Sequence, residues 1–234
     1  MVGTGAAAIA DAVRLTTAAV DFGFSGVLVV PPFYFTGITD VGLYSYYASV
    51  IERVRRDDLK VYLYHYPQLS GVPFTIEVIQ RLVRAYPDTI AGLKDSSGVA
   101  GFSESVAAAC PTIDVFPSSE AGLAGARAAG FAGCISATFN ATAALAARVW
   151  NAPPGSGRDA DQAALTLMRT TITAFPLVPA VHHVAARLYD DAALERMLPP
   201  LINLSATQMQ ALDTALEAQD AFVNLRAETR RAVA

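Results

Sequence analysis

The 234 residues carry 53% hydrophobic and only 16% charged side chains, with a formal net charge of −4 and a pI of about 5.3. An acidic chain whose basic residues cluster nowhere beyond Arg53, Arg55 and Arg56 lacks the footprint of a nucleic-acid binder. Nor does any apolar run approach the ~18 residues of a membrane span.

The N-terminal run MVGTGAAAIADAVR has no basic segment ahead of an apolar one, so a secretory leader is not supported. Cys110 and Cys134 are too few for a disulfide framework or a zinc site by themselves. They read as buried free thiols, and the chain as a cytoplasmic protein.

In chain order, Val2–Gly5 is short and extended, and Ile9–Phe22 is helical. Ser25–Val30 predicts a strand and Val41–Arg55 a helix, with Arg53, Arg55 and Arg56 placed to complement its dipole. Lys60–Tyr64 predicts the next strand, opened by a solvent-facing Lys60. Thr75–Tyr86 (helix), Thr89–Leu93 (strand), Ser103–Cys110 (helix) and Ile113–Phe116 (strand) follow. Ala121–Ala129 reads as a helix and Gly133–Thr138 as a strand.

Apolar strands separated by amphipathic helices argue for βαβ units and a parallel sheet. From Ala141 only helical patterns remain, broken at Pro153–Gly157, Pro176–Pro179 and Pro199–Pro200 into about four helices. Ser205 is placed to cap the last of them. The division is therefore 1–150 as an α/β part and 151–234 as a helical region. Five strands suit either a doubly wound open sheet or part of a barrel.

Lys94 ends the apolar run Thr-Ile-Ala-Gly-Leu and precedes Asp95-Ser96-Ser97-Gly98. The C-terminal ends of parallel strands form the functional face of such folds. A lysine desolvated there can fall from a pKa near 10.4 to roughly 7–8 and act as a neutral nucleophile. Snorkelling at a strand end explains the position equally well. Two-residue alternation puts Tyr62, Tyr64 and Tyr66 on one face. A phenol beside an amine supplies the proton donor and acceptor that carbinolamine formation needs, although an aromatic core stripe would look the same.

Taken together, these residues resemble the dihydrodipicolinate synthase / N-acetylneuraminate lyase family. Tyr64-His65-Tyr66-Pro67-Gln68-Leu69-Ser70-Gly71 is similar to its Y-N-x-P-x-x-[ST]-G motif, and Gly92-Leu93-Lys94-Asp95-Ser96-Ser97-Gly98 to its lysine-bearing G-[IL]-K-[DE]-x-[ST]-G. Val30-Pro31-Pro32-Phe33-Tyr34 resembles its P-Y-Y, and Gly133 to Asn140 its G-x-I-S-x-x-x-N.

The resemblance implies a (β/α)8 TIM-type barrel with C-terminal helices, assembled as a homo-oligomer (dimer or tetramer). Relative to that pattern the chain is expected to lack the first two strands and most of the third. With them would go the G-T-T-G-E-type loop that holds the substrate carboxylate. By the same resemblance Lys94 forms an imine with pyruvate or a small or sugar-derived 2-oxo acid. Tyr64 and Tyr34 transfer protons, Tyr34 across a subunit interface. Ile135, Ser96, Ser136, Leu69 and Ser70 lie toward the substrate.

No metal or organic cofactor is implied. Leu69 stands where the synthases carry an arginine for an aldehyde's carboxylate, which points to the lyase branch. A sugar-acid dehydratase of the same chemistry, or a catalytically silent remnant, is the alternative. Gly3-Thr4-Gly5-Ala6-Ala7-Ala8 matches the dinucleotide fingerprint only formally, without the preceding strand it needs. His182-His183 has no partner at metal-ligand spacing, and Asp57-Asp58 and Asp190-Asp191 read as turn residues.

Overall fold

The computed structural model describes residues 1–233 and divides into two compact units. One holds Met1–Ser118 and Ala126–Cys134; the other holds Ser119–Gly125 and the chain from Ile135 onward.

The first unit is built on a five-stranded sheet: β1 (Val2–Gly3), β2 (Val27–Val29), β3 (Val61–His65), β4 (Ile90–Asp95) and β5 (Asp114–Pro117). All pairings are parallel and the spatial order follows the chain. Crossovers are made by α1 (Ile9–Asp21), α2 (Asp40–Val54), the single turn α3 (Pro67–Ser70) with α4 (Ile76–Ala85), and α5 (Phe102–Ala109). Thr39 and Thr75 cap α2 and α4, accepting from the amides of Gly42 and Val78 at 3.2 Å each. Arg55 ends α2 in the left-handed conformation (φ 50°), and the basic residues there suit a helix C-terminus.

Register fixes the core. Val29, Leu63, Leu93 and Val115 form one lateral row across β2 to β5, each 0% exposed. They pack with Leu43, Tyr47 and Val50 of α2, Val78, Ile79 and Leu82 of α4, and Val106 of α5. The next row, Tyr64, Lys94 and Phe116, faces the opposite side and is half-buried. Gly92 is required on that side: a Cβ there would lie 2.5 Å from the Asp114 carbonyl and 2.6 Å from the Tyr62 ring.

In the second unit α6 (Phe139–Asn151), α7 (Ser156–Thr173), α8 (Leu177–Tyr189), α9 (Ala206–Glu217) and α10 (Asp220–Val233) bury Leu145, Leu165, Met168, Val184, Leu212 and Phe222. Ser205 and Gln208 form a reciprocal capping box at α9. Among the described residues no helix is long and apolar enough to cross a membrane, and no three His, Cys, Asp or Glu side chains are grouped to hold a metal ion.

Several sequence expectations are corrected. Gly133–Thr138 is not a strand. The Ala132 amide alone reaches β5, at the Val115 carbonyl (3.1 Å), and the Thr138 carbonyl instead accepts from Ala141 and Thr142 to open α6. The expected helix Ala121–Ala129 is a 3-10 segment, Glu120–Gly125, followed by a turn. β4 runs to Asp95, so Asp95 is the last strand residue rather than part of the following loop, and Lys94 lies at the C-terminal end of the strand, one residue before its last.

Among the described residues the helical region that begins at Phe139 holds five α-helices rather than four, because α9 and α10 part at Ala218–Gln219 without a Pro or Gly to announce it. Lys60 does not simply face solvent, since its ammonium donates to the Asp88 carbonyl. Cys110 is buried but Cys134 only half-buried.

Candidate active site

Parallel register brings Tyr64 of β3 directly beside Lys94 of β4. The Lys94 Nζ lies 3.3 Å from the Tyr64 hydroxyl and 4.4 Å from that ring's centroid. Tyr66 follows just past β3, its ring centroid 5.8 Å from that of Tyr64. An amine and a phenol within hydrogen-bond reach form a pair that can pass a proton between themselves and a third group.

The opposite side of the same strand ends carries a second pair, missed in the sequence. His65 and Asp95 are register partners, 3% and 7% exposed. The His65 Nδ1 lies 3.2 Å from Asp95 Oδ1, which also accepts from the Ser97 amide at 2.9 Å; Oδ2 accepts from Ser103 Oγ at 2.7 Å. Burial alone would raise the Asp95 carboxyl, but the hydrogen bonds from His65, Ser97 and Ser103 outweigh it and hold it below the usual carboxylate range.

Asp95 is therefore ionised at neutral pH and His65 Nδ1 carries the proton. The other ring nitrogen, Nε2, is buried without a partner, and the imidazole packs at 4.2 Å from the Phe102 ring and 6.1 Å from Phe74. An unsatisfied buried nitrogen costs about 1–3 kcal/mol, so the pairing with Asp95 and the ring packing must offset it.

The other expected residues are placed as follows. Tyr34, in the turn after β2, is 77% exposed and meets Phe35 edge-on at 5.3 Å, whereas the hydroxyl Lys94 reaches is that of Tyr64. Leu69 on α3 is 62% exposed. Ser70 is fully buried, its hydroxyl donating to the Tyr66 and Val72 carbonyls at 3.0 Å each, which fixes the turn after β3. The Ser96 amide donates to the His65 carbonyl at 2.7 Å and its side chain is half-buried.

Ile135 and Ser136 belong to the second unit. There Ser136 Oγ accepts from Arg169 Nη1 at 2.9 Å, and the same nitrogen donates to the wholly buried Glu120 at 2.6 Å. Thr138 also donates to Glu120. Arg169 and Glu120 lie 49 residues apart, a separation over which no local sequence pattern links them. His183 is 4% exposed, held between Glu195 (2.8 Å) and Asp213 (3.0 Å), consistent with the helix-packing reading.

Comparison with known proteins gives a consistent result. The model of the dihydrodipicolinate synthetase family matches residues 1–219. A protein of Chloroflexus aurantiacus described as an uncharacterized DapA-like lyase is 34% identical over 216 residues, spanning 92% of this chain and 72% of the relative. The 4-hydroxy-tetrahydrodipicolinate synthase of Rhizobium meliloti is 32% identical over 146 residues, where the match spans 62% of this chain and only 48% of the enzyme.

Among solved structures, dihydrodipicolinate synthase from Agrobacterium tumefaciens superposes with a TM-score of 0.83 at 23% identity, covering 94% of this chain and 75% of that one. The 2-keto-3-deoxygluconate aldolase of Sulfolobus in complex with D-KDPG gives 0.81 at 19% identity, covering 92% and 72%. At these identities the structural matches establish the α/β fold with its parallel sheet.

Proposed function

The chain belongs to the dihydrodipicolinate synthetase family, and from that premise we propose that it is an imine-forming lyase of pyruvate or a small or sugar-derived 2-oxo acid. The observation that carries this reading is the Lys94 Nζ held 3.3 Å from the Tyr64 hydroxyl at adjacent parallel strand ends.

In the neutral form the Lys94 amine adds to the C2 carbonyl and the carbonyl oxygen takes up a proton, giving a carbinolamine. Tyr64 supplies the proton with which that oxygen leaves as water, and recovers one from the nitrogen side. The resulting iminium draws electrons from the C3–C4 bond as it breaks, or stabilises the C3 carbanion equivalent as a bond forms. The bond electrons stay with the substrate, and no external oxidant or reductant is required.

The resemblance carries Tyr34 over as a second proton-transfer residue, and Ile135, Ser96 and Ser136 as substrate contacts. Leu69 offers a carbon side chain where the synthases offer a guanidinium, which favours an uncharged or hydroxylated partner over a second carboxylate. Two or four copies of the chain would form the working assembly.

Borohydride in the presence of pyruvate should leave one covalent adduct, on Lys94. Tyr64→Phe should keep the fold and slow turnover on the order of 10²- to 10⁴-fold. The reading is abandoned if Lys94→Ala still labels, or if Tyr64→Phe turns over at the wild-type rate.

A further inference from the structure

The segment that follows Lys94 is tied down by groups with no part in the imine chemistry. Its Ser96 amide is bonded to the His65 carbonyl, its Ser97 carbonyl accepts from the Gln68 amide, and its Asp95 carboxylate collects His65 Nδ1, the Ser97 amide and Ser103 Oγ. His65 thus holds the strand end twice, once by its carbonyl and once by its ring. The His65–Asp95 and Tyr64–Lys94 pairs occupy consecutive rows of the same two strands. A change in the relative twist or slide of β3 and β4 at one row therefore moves the other.

We propose that His65 is a positioning residue: its Nδ1–H, seated on Asp95, sets the β3–β4 strand ends so that the Lys94 Nζ stays against the Tyr64 hydroxyl. This rests on the imine reading above and adds a residue to it. The family motif carries Asn where this chain carries His65. An asparagine amide can also donate to Asp95, whereas the imidazole additionally fills the space beside Phe102, 4.2 Å from its ring. Donor and packing can therefore be separated by substitution. His65→Phe keeps an aromatic ring and removes the donor; His65→Asn keeps a donor and removes the ring.

The experiment is single-turnover borohydride trapping of pyruvate on the 234-residue chain, read as amplitude and rate constant. A loss of folded protein lowers the amplitude and leaves the rate constant alone; a displaced lysine lowers the rate constant. His65→Phe should form its adduct on the order of 10- to 100-fold more slowly at unchanged amplitude, and His65→Asn should recover most of the rate. Should His65→Phe fail to fold, Ser103→Ala, which removes only one bond to Asp95, should still slow trapping a few-fold.

A wild-type rate constant in folded His65→Phe overturns the proposal. So does an equal slowing in His65→Asn, or, where His65→Phe does not fold, a wild-type rate in Ser103→Ala. Absence of any adduct on the unmodified chain instead overturns the imine reading itself, and this proposal with it.

Discussion

Asp95 is an acid buried on purpose, and its cost and benefit can be followed with pH. In the folded chain its carboxyl sits below the usual range because His65, the Ser97 amide and Ser103 all favour the ionised form over the penalty of burial. In the unfolded chain it returns to about 3.9. A depressed folded value means the stabilisation is fully present above the unfolded value and disappears as the pH falls through the folded one. Asp95→Asn should therefore destabilise the protein by about 1–3 kcal/mol at pH 7. In urea unfolding measured from pH 7 down to 3, the gap to wild type should narrow only below about pH 4. A gap independent of pH would show that the carboxylate is not what the three donors stabilise. At this scale the sequence is uneven in what it discloses. Lys94 and Tyr64 are legible as neighbours, because strand alternation and the end of an apolar run place them on one face of adjacent strand ends. His65 and Asp95 are not, because two ionisable residues inside apolar strands become a pair only once the register of β3 on β4 is known.

Among the elements, the strands were legible to within two residues wherever a run of β-branched and leucine side chains had helices on both sides of it in the chain. The lateral row Val29, Leu63, Leu93 and Val115 is the physical reason, since each strand contributes one wholly buried residue to the same layer. Leu93→Ala removes three carbons (Cγ, Cδ1 and Cδ2) from the middle of that row, next to Lys94, where neighbours on both strands cannot close the gap. It should cost about 2–5 kcal/mol in chemical denaturation, and a loss below 1 kcal/mol would mean that the row relaxes more than a close-packed layer does. Gly133–Thr138 misled for the converse reason. Its composition allows extended backbone, yet only one amide in the stretch ahead of it finds β5, and the hydroxyls of Ser136 and Thr138 are taken by Arg169 and Glu120. Periodicity shows that a segment can be a strand; it does not show that a neighbour is free to pair with it.

For the molecule as a whole, a charged share of 16% leaves much apolar surface without cover. Phe33, Tyr34 and Phe35 are consecutive and 47%, 77% and 54% exposed, directly after β2 on the same strand-end side as Lys94. Apolar surface of this extent matches the largest patch of a typical monomer, and such patches are often contact sites. A two-fold contact between copies would place each triplet against the same patch of the partner. At about 200 Å² per aromatic side chain, three partly exposed rings from each of two copies supply roughly 700 Å² of the 1,200–2,000 Å² that a stable interface buries. Residues beside the triplet must provide the remainder. If the homo-oligomer uses this face, Tyr34→Asp sets two carboxylates into an apolar, self-facing contact, where each loses solvation and gains a like charge. Sedimentation velocity across a concentration series should then show the variant dissociating at a protein concentration at least ten-fold higher than wild type requires, a shift of about 1.4 kcal/mol. Tyr34→Phe keeps the ring and drops only the hydroxyl, so it should assemble as wild type does while revealing any proton-transfer contribution in its turnover. A wild-type chain that remains monomeric throughout the series, or a Tyr34→Asp variant that sediments identically, would remove this face from the assembly.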